Sequence, residues 1–208
     1  MERFLPNECD SGIAIVEEWQ PSRSWNVMDH YDSNGFRSNV GIILTRDDDC
    51  LLLGGRVGQA GWQFPQGGIQ VDETPLDAMY RELEEETGLF PADVKLLGQT
   101  QDWLHYCLPE RYIRHDRKPV CIGQKQRWFL LRMVASEHSL VADRTDTPEF
   151  DRWRWVDYWR PVKEVIYFKR QVYVSALAEL APLLFSNEIP PQPRWWPAEW
   201  LADPHQPA

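Results

Sequence analysis

Residues 67–89, GGIQVDETPLDAMYRELEEETGL, decide how this chain folds. The stretch opens with a glycine pair, continues through Thr74 and Pro75, and ends with an acidic run before Gly88. Threonine is a preferred N-cap residue, proline is favoured at the first helical position, and glycine commonly ends a helix. One stripe at helical spacing can face a core, and it consists of Leu76, Met79, Tyr80, Leu83 and Thr87. The sequence therefore predicts an amphipathic helix that follows a glycine loop.

Three glutamates of this helix share one face. Glu82, Glu85 and Glu86 are related by three and four positions, whereas Glu84 points elsewhere. Like charges at this spacing destabilise an isolated helix, and a divalent cation would neutralise them. Carboxylate oxygens suit Mg²⁺ or Mn²⁺. Acidic helical faces are more often simply solvated, but the glycine loop favours a metal site because its backbone can approach a ligand closely.

The same stretch resembles the Nudix signature, G-x5-E-x7-R-E-U-x-E-E-x-G-U, in which U is an aliphatic residue. All fixed positions are present, namely Gly67, Glu73, Arg81, Glu82, Leu83, Glu85, Glu86, Gly88 and Leu89. The resemblance implies an α+β Nudix fold, with a mixed β-sheet between α-helices. It also implies hydrolysis of a nucleoside diphosphate linked to another group, assisted by about two or three Mg²⁺ ions, with Mn²⁺ as the alternative.

Other segments extend the resemblance over residues 36–182 and narrow it to bacterial Nudix enzymes that remove pyrophosphate from the 5′ end of RNA. They are RSNVGIIL (37–44), GWQFPQGGI (61–69), KPVCIGQKQRWFLL (118–131), DTPEFDRWRWVDYW (146–159) and FKRQVY (168–173). Two departures predict a weaker or differently placed grip on phosphate. Ser38 stands where the family usually has proline, and Gly55-Arg56 replaces a pair of basic residues.

The resemblance implies roles for individual residues. The metal ligands are the Gly67 carbonyl and the carboxylates of Glu82, Glu85, Glu86 and Glu149. The general base is Glu85, Glu86 or Glu149, and the sequence does not choose among them. The substrate-binding residues are Arg37, Arg56 and Lys169, which meet the 5′ phosphates, and Ile166 and Phe168, which flank a base. From the sequence pattern alone, an aromatic residue at the spacing of Phe168 is more often part of the core than a surface for a base, and Glu149, which follows Thr147-Pro148, also fits a turn.

The expected substrate is RNA with a 5′-triphosphate or 5′-diphosphate. The expected product is a 5′-monophosphate, which initiates 5′-end-dependent mRNA decay. A dinucleoside polyphosphate hydrolase is the main alternative, because enzymes that cleave diadenosine tetraphosphate share the signature and much of GWQFPQGG. A catalytically silent Nudix module is a third hypothesis. Loss of a signature glutamate would favour it, and none is lost.

Composition limits how RNA can be bound. The 208 residues include 22 Lys and Arg against 32 Asp and Glu, a formal net charge of −10. Such a protein is poorly suited to hold long nucleic acids through counterion release, so recognition of RNA must be local. The four cysteines, Cys9, Cys50, Cys107 and Cys121, are far apart and are predicted to be reduced thiols. The sequence shows neither a signal-peptide pattern nor a membrane span, and we expect a cytoplasmic protein without a membrane partner.

The chain is predicted to form one domain with two extensions. Residues 36–185 form the Nudix domain, 1–35 an irregular N-terminal extension and 186–208 a Pro/Trp-rich tail. Apolar runs and alternating patterns predict strands at 39–45, 50–55, 62–64, 94–98, 103–109, 126–134 and 153–158. The first two are expected to form a hairpin. A C-terminal helix is predicted between Pro161 and Phe185, broken near Tyr167-Phe168.

Overall fold

The computed structural model describes residues 29–58, 61–141, 148–186 and 188–197. In these ranges a mixed β-sheet lies between one helix on its first face and two helices on its second. The strands are β1 (Phe36–Thr45), β2 (Leu51–Arg56), β3 (Trp62–Gln63), β4 (Gln66–Gly68), β5 (Val94–Gln99), β6 (Leu104–Cys107), β7 (Gly123–Met133) and β8 (Phe150–Val156). The helices are α1 (Pro75–Thr87), α2 (Arg160–Glu164) and α3 (Arg170–Leu184). The predicted α+β architecture is confirmed.

The parallel pair of β1 and β7 forms the centre of the sheet. Their register runs without interruption from Phe36 opposite Gly123 to Thr45 opposite Arg132. Alternate residues face opposite sides, so that Ile43 packs with α2 and α3 whereas Ile42 packs with α1. A parallel strand covered on both faces has an almost continuous apolar sequence. This explains the apolar runs VGIIL (40–44) in β1 and WFLL (128–131) in β7.

Helix α1 has the predicted ends. The Thr74 hydroxyl accepts a hydrogen bond from the Asp77 amide, and Gly88 adopts a left-handed conformation with φ of 75°. The predicted stripe is wrong at its first member, because Leu76 is 41% exposed. The buried face instead includes Glu82 and Glu86. Turning these glutamates toward the sheet rotates the helix and carries Leu76 toward solvent.

The sheet opens along one edge of β1. This edge pairs with β4 from Asn39 to Gly41, but with β2 only at Thr45 opposite Leu51. Strand β2 pairs mainly with β3 and β8. The first two strands are antiparallel, as the predicted hairpin requires, but only one pair of residues is in register between them. The divergence leaves an opening between β4 and β2, which residues from both faces of the sheet can reach.

The C-terminal region and the two extensions complete the fold. A short 3-10 turn, Tyr167–Lys169, separates α2 from α3 and confirms the predicted break in the helix. The segment before β1 pairs with the sheet through bridges from Asp29 to Gln70 and from Tyr31 to Arg37. The rest of the predicted N-terminal extension, 1–28, and the end of the tail, 198–208, lie outside the described residues. Among the described helices, none has the length and apolar character needed to cross a bilayer.

Replacing Gly41 by alanine is expected to destabilise the fold. A Cβ atom there would lie 2.5 Å from the ring of Trp128, which is fully buried between Phe64 and Tyr173. We expect the free energy of unfolding to fall by about 1–3 kcal/mol, measured by urea denaturation. Gly98→Ala is the control, because its Cβ would meet only the end of the exposed Leu183 side chain. Equal stability of the two variants would contradict this account of the core.

Candidate active site

The opening between β4 and β2 collects carboxylates and cations from separate elements. Helix α1 contributes Glu82 and Glu86 from one face of the sheet. Arg56 ends β2, Glu149 directly precedes β8, and Lys169 directly precedes α3. The Arg56 Nε atom lies 3.8 Å from the Glu149 Oε1 atom. The fold thus brings together residues that are up to 113 positions apart in the sequence.

Gly67 leaves room for the Glu82 carboxyl group beside β4. A Cβ atom on Gly67 would collide with the carboxyl group of Glu82. Arg81 then ties the helix to the preceding loop. Its guanidinium donates to both Glu73 oxygens at 2.8 and 2.9 Å, to the Gly68 carbonyl at 2.7 Å and to Glu82 at 2.6 Å. These contacts fix the orientation of α1 relative to the glycine loop.

Two glutamines donate hydrogen bonds to the carboxylates of Glu86 and Glu149. The Gln66 backbone N–H donates to Glu86 Oε2 at 2.8 Å, and Gln63 Nε2 donates to Glu149 Oε1 at 2.8 Å. Sequence reasoning did not single out either glutamine, although both lie in the segment GWQFPQGGI that carries the resemblance. They fix the carboxylates from the two sides of the opening, since Gln63 belongs to β3 and Gln66 to β4.

The buried carboxylates have raised pKa values, which means that their negative charge is unfavourable in the folded protein. Burial raises the pKa of Glu82 to about 7, although the neighbouring Arg81 opposes this shift. Burial, with the nearby charges of Glu149 and Glu82, raises the pKa of Glu86 well above its usual range. Glu85 stands at the rim with a side chain 32% exposed, and Glu84 is exposed on another face, as predicted. A bound cation would relieve this repulsion.

The donor set fits a hard divalent cation. All the candidate side-chain ligands are carboxylates, the donors that Mg²⁺ and Mn²⁺ prefer. In the described part of the chain, no three acidic, histidine or cysteine side chains already converge at metal-ligand spacing. Each buried carboxylate is held by a protein donor instead: Glu82 by Arg81, Glu86 by Gln66 and Glu149 by Gln63. A cation would therefore draw these oxygens together.

The predicted phosphate-binding cations border this cluster. Lys169 is 1% exposed, and burial together with the nearby Arg56 charge lowers its pKa to about 7, while Glu149 and Glu86 oppose that shift. Arg56 is also buried. Bound phosphate would favour the charged form of Lys169 because it adds negative charge beside the amine.

Arg37 has a partner that sequence reasoning missed. Its Nε and Nη2 atoms contact the two carboxylate oxygens of Asp29 at 2.9 and 3.0 Å. The departure at Ser38 explains how Asp29 reaches this position. The Ser38 amide donates to the His30 carbonyl at 2.8 Å, and its hydroxyl contacts His30 Nδ1 at 2.8 Å. Proline has no N–H for the first of these bonds, so serine permits the pairing that places Asp29 on Arg37.

The residues predicted to flank a base lie at the 3-10 turn: Ile166 directly precedes it and Phe168 is its middle residue. Ile166 and Phe168 are both half-buried. The Phe168 ring lies 5.7 Å from Tyr106, 5.4 Å from Tyr112 and 5.4 Å from Tyr167, measured between ring centroids. Phe168 is thus part of an aromatic cluster at the boundary of the core. Its contact with a base remains a prediction, as do the individual roles of the other site residues.

Sequence comparison identifies relatives over most of the chain. A sequence model of the NUDIX domain matches residues 35–178. A protein of Alkalilimnicola ehrlichii named RNA pyrophosphohydrolase is 59% identical over 162 residues, which cover 78% of this chain and 90% of that protein. A protein of the same name from Thioalkalivibrio sulfidiphilus is 58% identical over 163 residues, covering 78% of this chain and 94% of that protein.

Solved structures share the fold at low sequence identity. The E. coli dihydroneopterin triphosphate pyrophosphohydrolase matches with a TM-score of 0.53 and 18% identity, over 68% of this chain and 94% of that chain. A binary complex of a C. elegans Ap4A hydrolase matches with a TM-score of 0.51 and 15% identity, over 71% of this chain and 96% of that chain. The family model and the close relatives, together with this fold and its acidic helix, establish that the chain belongs to the Nudix family of hydrolases.

Proposed function

We propose that this Nudix hydrolase removes phosphates from the 5′ end of RNA and leaves a 5′-monophosphate. The observation that carries the proposal is the position of Arg56 and Lys169, both buried, beside the carboxylates of Glu86 and Glu149. A terminal polyphosphate can lie between these cations and a metal held by the carboxylates. The names of the relatives support RNA as the carrier of that polyphosphate. The product initiates 5′-end-dependent mRNA decay in the cytoplasm.

Mg²⁺ is the proposed cofactor, and Mn²⁺ is a substitute with the same ligand preference. Glu82, Glu85, Glu86 and Glu149, with the Gly67 carbonyl, would hold about two or three ions. When bound, such ions neutralise charge on the phosphates and lower the pKa of an attacking water. Titration calorimetry with Mg²⁺ would measure how many ions bind.

The side chains of this protein supply orientation and a proton acceptor. Arg37, Arg56 and Lys169 bind the terminal phosphates, and this fixes phosphorus in line with the attacking water. Arg37 shares its guanidinium between phosphate and Asp29. The carboxylate of Glu85, Glu86 or Glu149 accepts the water proton as the P–O bond to the leaving phosphate breaks. Ile166 and Phe168 contact a base and so align the chain end.

The first prediction from the proposed function concerns the substrate. With Mg²⁺ present, a short RNA with a 5′-triphosphate or 5′-diphosphate should be converted to the 5′-monophosphate with a higher kcat/KM than diadenosine tetraphosphate. Turnover is measured at matched concentrations by chromatographic resolution of the products. Cleavage of the dinucleotide alone would replace the proposal with a dinucleoside polyphosphate hydrolase. Absence of turnover on either substrate would favour a silent Nudix module.

The second prediction concerns Glu86. Glu86→Gln should lower kcat by at least about 100-fold, because it removes a metal ligand or the general base. The raised pKa of Glu86 means that its charge opposes folding once the pH exceeds the unfolded value. The metal-free wild type should therefore lose stability as the pH rises from 5 to 8, and Glu86→Gln should lose less. Urea denaturation in the presence of a chelator measures this difference.

Glu84→Gln is the matched control for Glu86→Gln, since Glu84 is exposed on the same helix. It should keep normal turnover and the full increase in melting temperature on addition of Mg²⁺. Glu86→Gln should show a reduced increase. A variant Glu86→Gln that retains near-normal turnover and the full Mg²⁺ response would exclude Glu86 as a ligand or base.

The third prediction concerns Lys169. Lys169→Met keeps a chain of similar length but removes the charge, so kcat/KM for 5′-triphosphate RNA should fall by roughly 10- to 100-fold. The variant should fold, because the buried amine is partly neutral at pH 7 in the free protein. Lys163→Met, at an exposed position of α2, is the control and should behave as wild type. Similar activity of the two variants would remove Lys169 from the phosphate site.

A further inference from the structure

An exposed aromatic surface adjoins the predicted base site. It consists of Arg111, Tyr112, Tyr167 and Phe168, and we refer to it as the Tyr167 surface. The Tyr167 side chain is 49% exposed, although it lies next to Phe168. The Arg111 guanidinium lies 4.9 Å from the centre of the Tyr112 ring and 5.7 Å from that of Tyr167. It also donates a hydrogen bond of 3.1 Å to the Tyr167 hydroxyl. An exposed tyrosine is thus held in one orientation by a cation.

The Tyr167 surface is continuous with the phosphate-binding cations. The Lys169 Nζ atom lies 5.6 Å from the centre of the Tyr106 ring, and that ring lies 5.7 Å from Phe168. Phe168 in turn contacts Tyr167 at 5.4 Å. A chain of close contacts therefore leads from the buried amine at the predicted phosphate site to an exposed ring at the protein surface. The functional roles proposed above do not include Tyr167, the exposed ring at the end of this series of contacts.

The electrostatic character of this region differs from that of the whole protein. The loop that contains Arg111, residues 110–118, has four basic residues, Arg111, Arg114, Arg117 and Lys118, against two acidic ones, Glu110 and Asp116. The chain as a whole has a net charge of −10. A polyanion that leaves the catalytic opening would be repelled by most of the surface but attracted by this loop.

We propose that the Tyr167 surface binds the third nucleotide of the RNA strand, directly 3′ of a second base at Phe168. A following base stacks on Tyr167, and a phosphodiester contacts Arg111. Aromatic side chains bind single strands by such stacking without a requirement for a particular base. A guanidinium carries five N–H donors, of which the hydrogen bond to Tyr167 uses one, and it suits phosphate geometry. The inference rests on the proposed RNA function and extends it from the chain end to the adjoining nucleotides.

The test is a length series of 5′-triphosphate RNAs of two, three, four and six nucleotides. For wild type, kcat/KM should rise up to about four nucleotides and then stay constant, because only local contacts are made. Tyr167→Ala should abolish this rise and lower kcat/KM on the tetranucleotide by about 5- to 100-fold, the effect of one lost stacking contact. Its activity on the dinucleotide should stay within about twofold of wild type.

Two kinds of control accompany this series. Tyr167→Trp keeps an aromatic face and should preserve the length dependence, which separates stacking from a structural effect of the substitution. Phe90→Ala removes an aromatic ring of similar exposure, 41%, at a position three residues after α1 and outside the Tyr167 surface, and should leave kcat/KM and its length dependence unchanged. Far-UV circular dichroism and urea denaturation of each variant confirm that it is folded.

Arg111 is tested separately through ionic strength. Arg111→Ala should make the dependence of log kcat/KM on log salt shallower by about 0.7 on the tetranucleotide, as expected for one lost phosphate contact to a single strand. It should leave the dependence on the dinucleotide unchanged. Arg160→Ala, at an exposed ion pair with Glu164, is the control and should match wild type throughout.

The outcomes separate this inference from the proposed function. If wild type cleaves the dinucleotide and longer RNAs alike, and Tyr167→Ala matches it at every length, the Tyr167 surface does not bind RNA and the proposed function stands. An equal loss at every length would place Tyr167 in the catalytic opening instead. If wild type cleaves no 5′-triphosphate RNA but cleaves diadenosine tetraphosphate, the proposed function fails and the inference fails with it.

Discussion

The Glu82 carboxyl group can lie against β4 only because Gly67 has no side chain, and the rest of the site depends on this approach. Any Cβ atom there would occupy the space of the Glu82 carboxyl group. Arg81 fixes the arrangement by binding the loop at Glu73 and Gly68 and the helix at Glu82. Together these contacts set the rotation of α1 about its axis. That rotation buries Glu86 at the opening of the sheet, where catalysis is proposed.

The site places groups together that would not associate for stability alone. Buried carboxylates with raised pKa values and a buried lysine with a lowered pKa each indicate an unfavourable charge in the folded protein. The two kinds of group lie side by side, with Arg56 and Glu149 as the direct contact. Such a site can bind ions of both signs: metal cations at the carboxylates, and phosphates at Lys169 and Arg56. This explains how a protein with a net charge of −10 can act on a polyanion.

Several features were predictable because their physical basis is local. The ends of α1 follow from Thr74 and Gly88, whose effects extend over one helical turn. The break between α2 and α3 was also predicted correctly, as was the strand at 126–134, which lies within one residue of the C-terminal end of β7. The pairing of Asp29 with Arg37 was not predicted. It depends on hydrogen bonds from Ser38 to His30, which join a segment without periodic pattern to β1. The exposure of Leu76 was not predicted, because the buried face of α1 was chosen from its apolar residues alone and the burial of Glu82 and Glu86 was not anticipated.

The sequence by itself determined the family, the position of α1 and the three glutamates that share one face of it, because all of these are encoded in one contiguous segment at fixed spacing. Only the tertiary structure decided which charges meet. Glu149 and Lys169 are distant from α1 along the chain, and their approach to Glu86 depends on how β1 divides its edge between β4 and β2. Burial likewise belongs to the folded state, since water is excluded only once both faces of the sheet are covered. The pKa values of the site, and the exposure of Tyr167 at its border, are therefore properties of the fold.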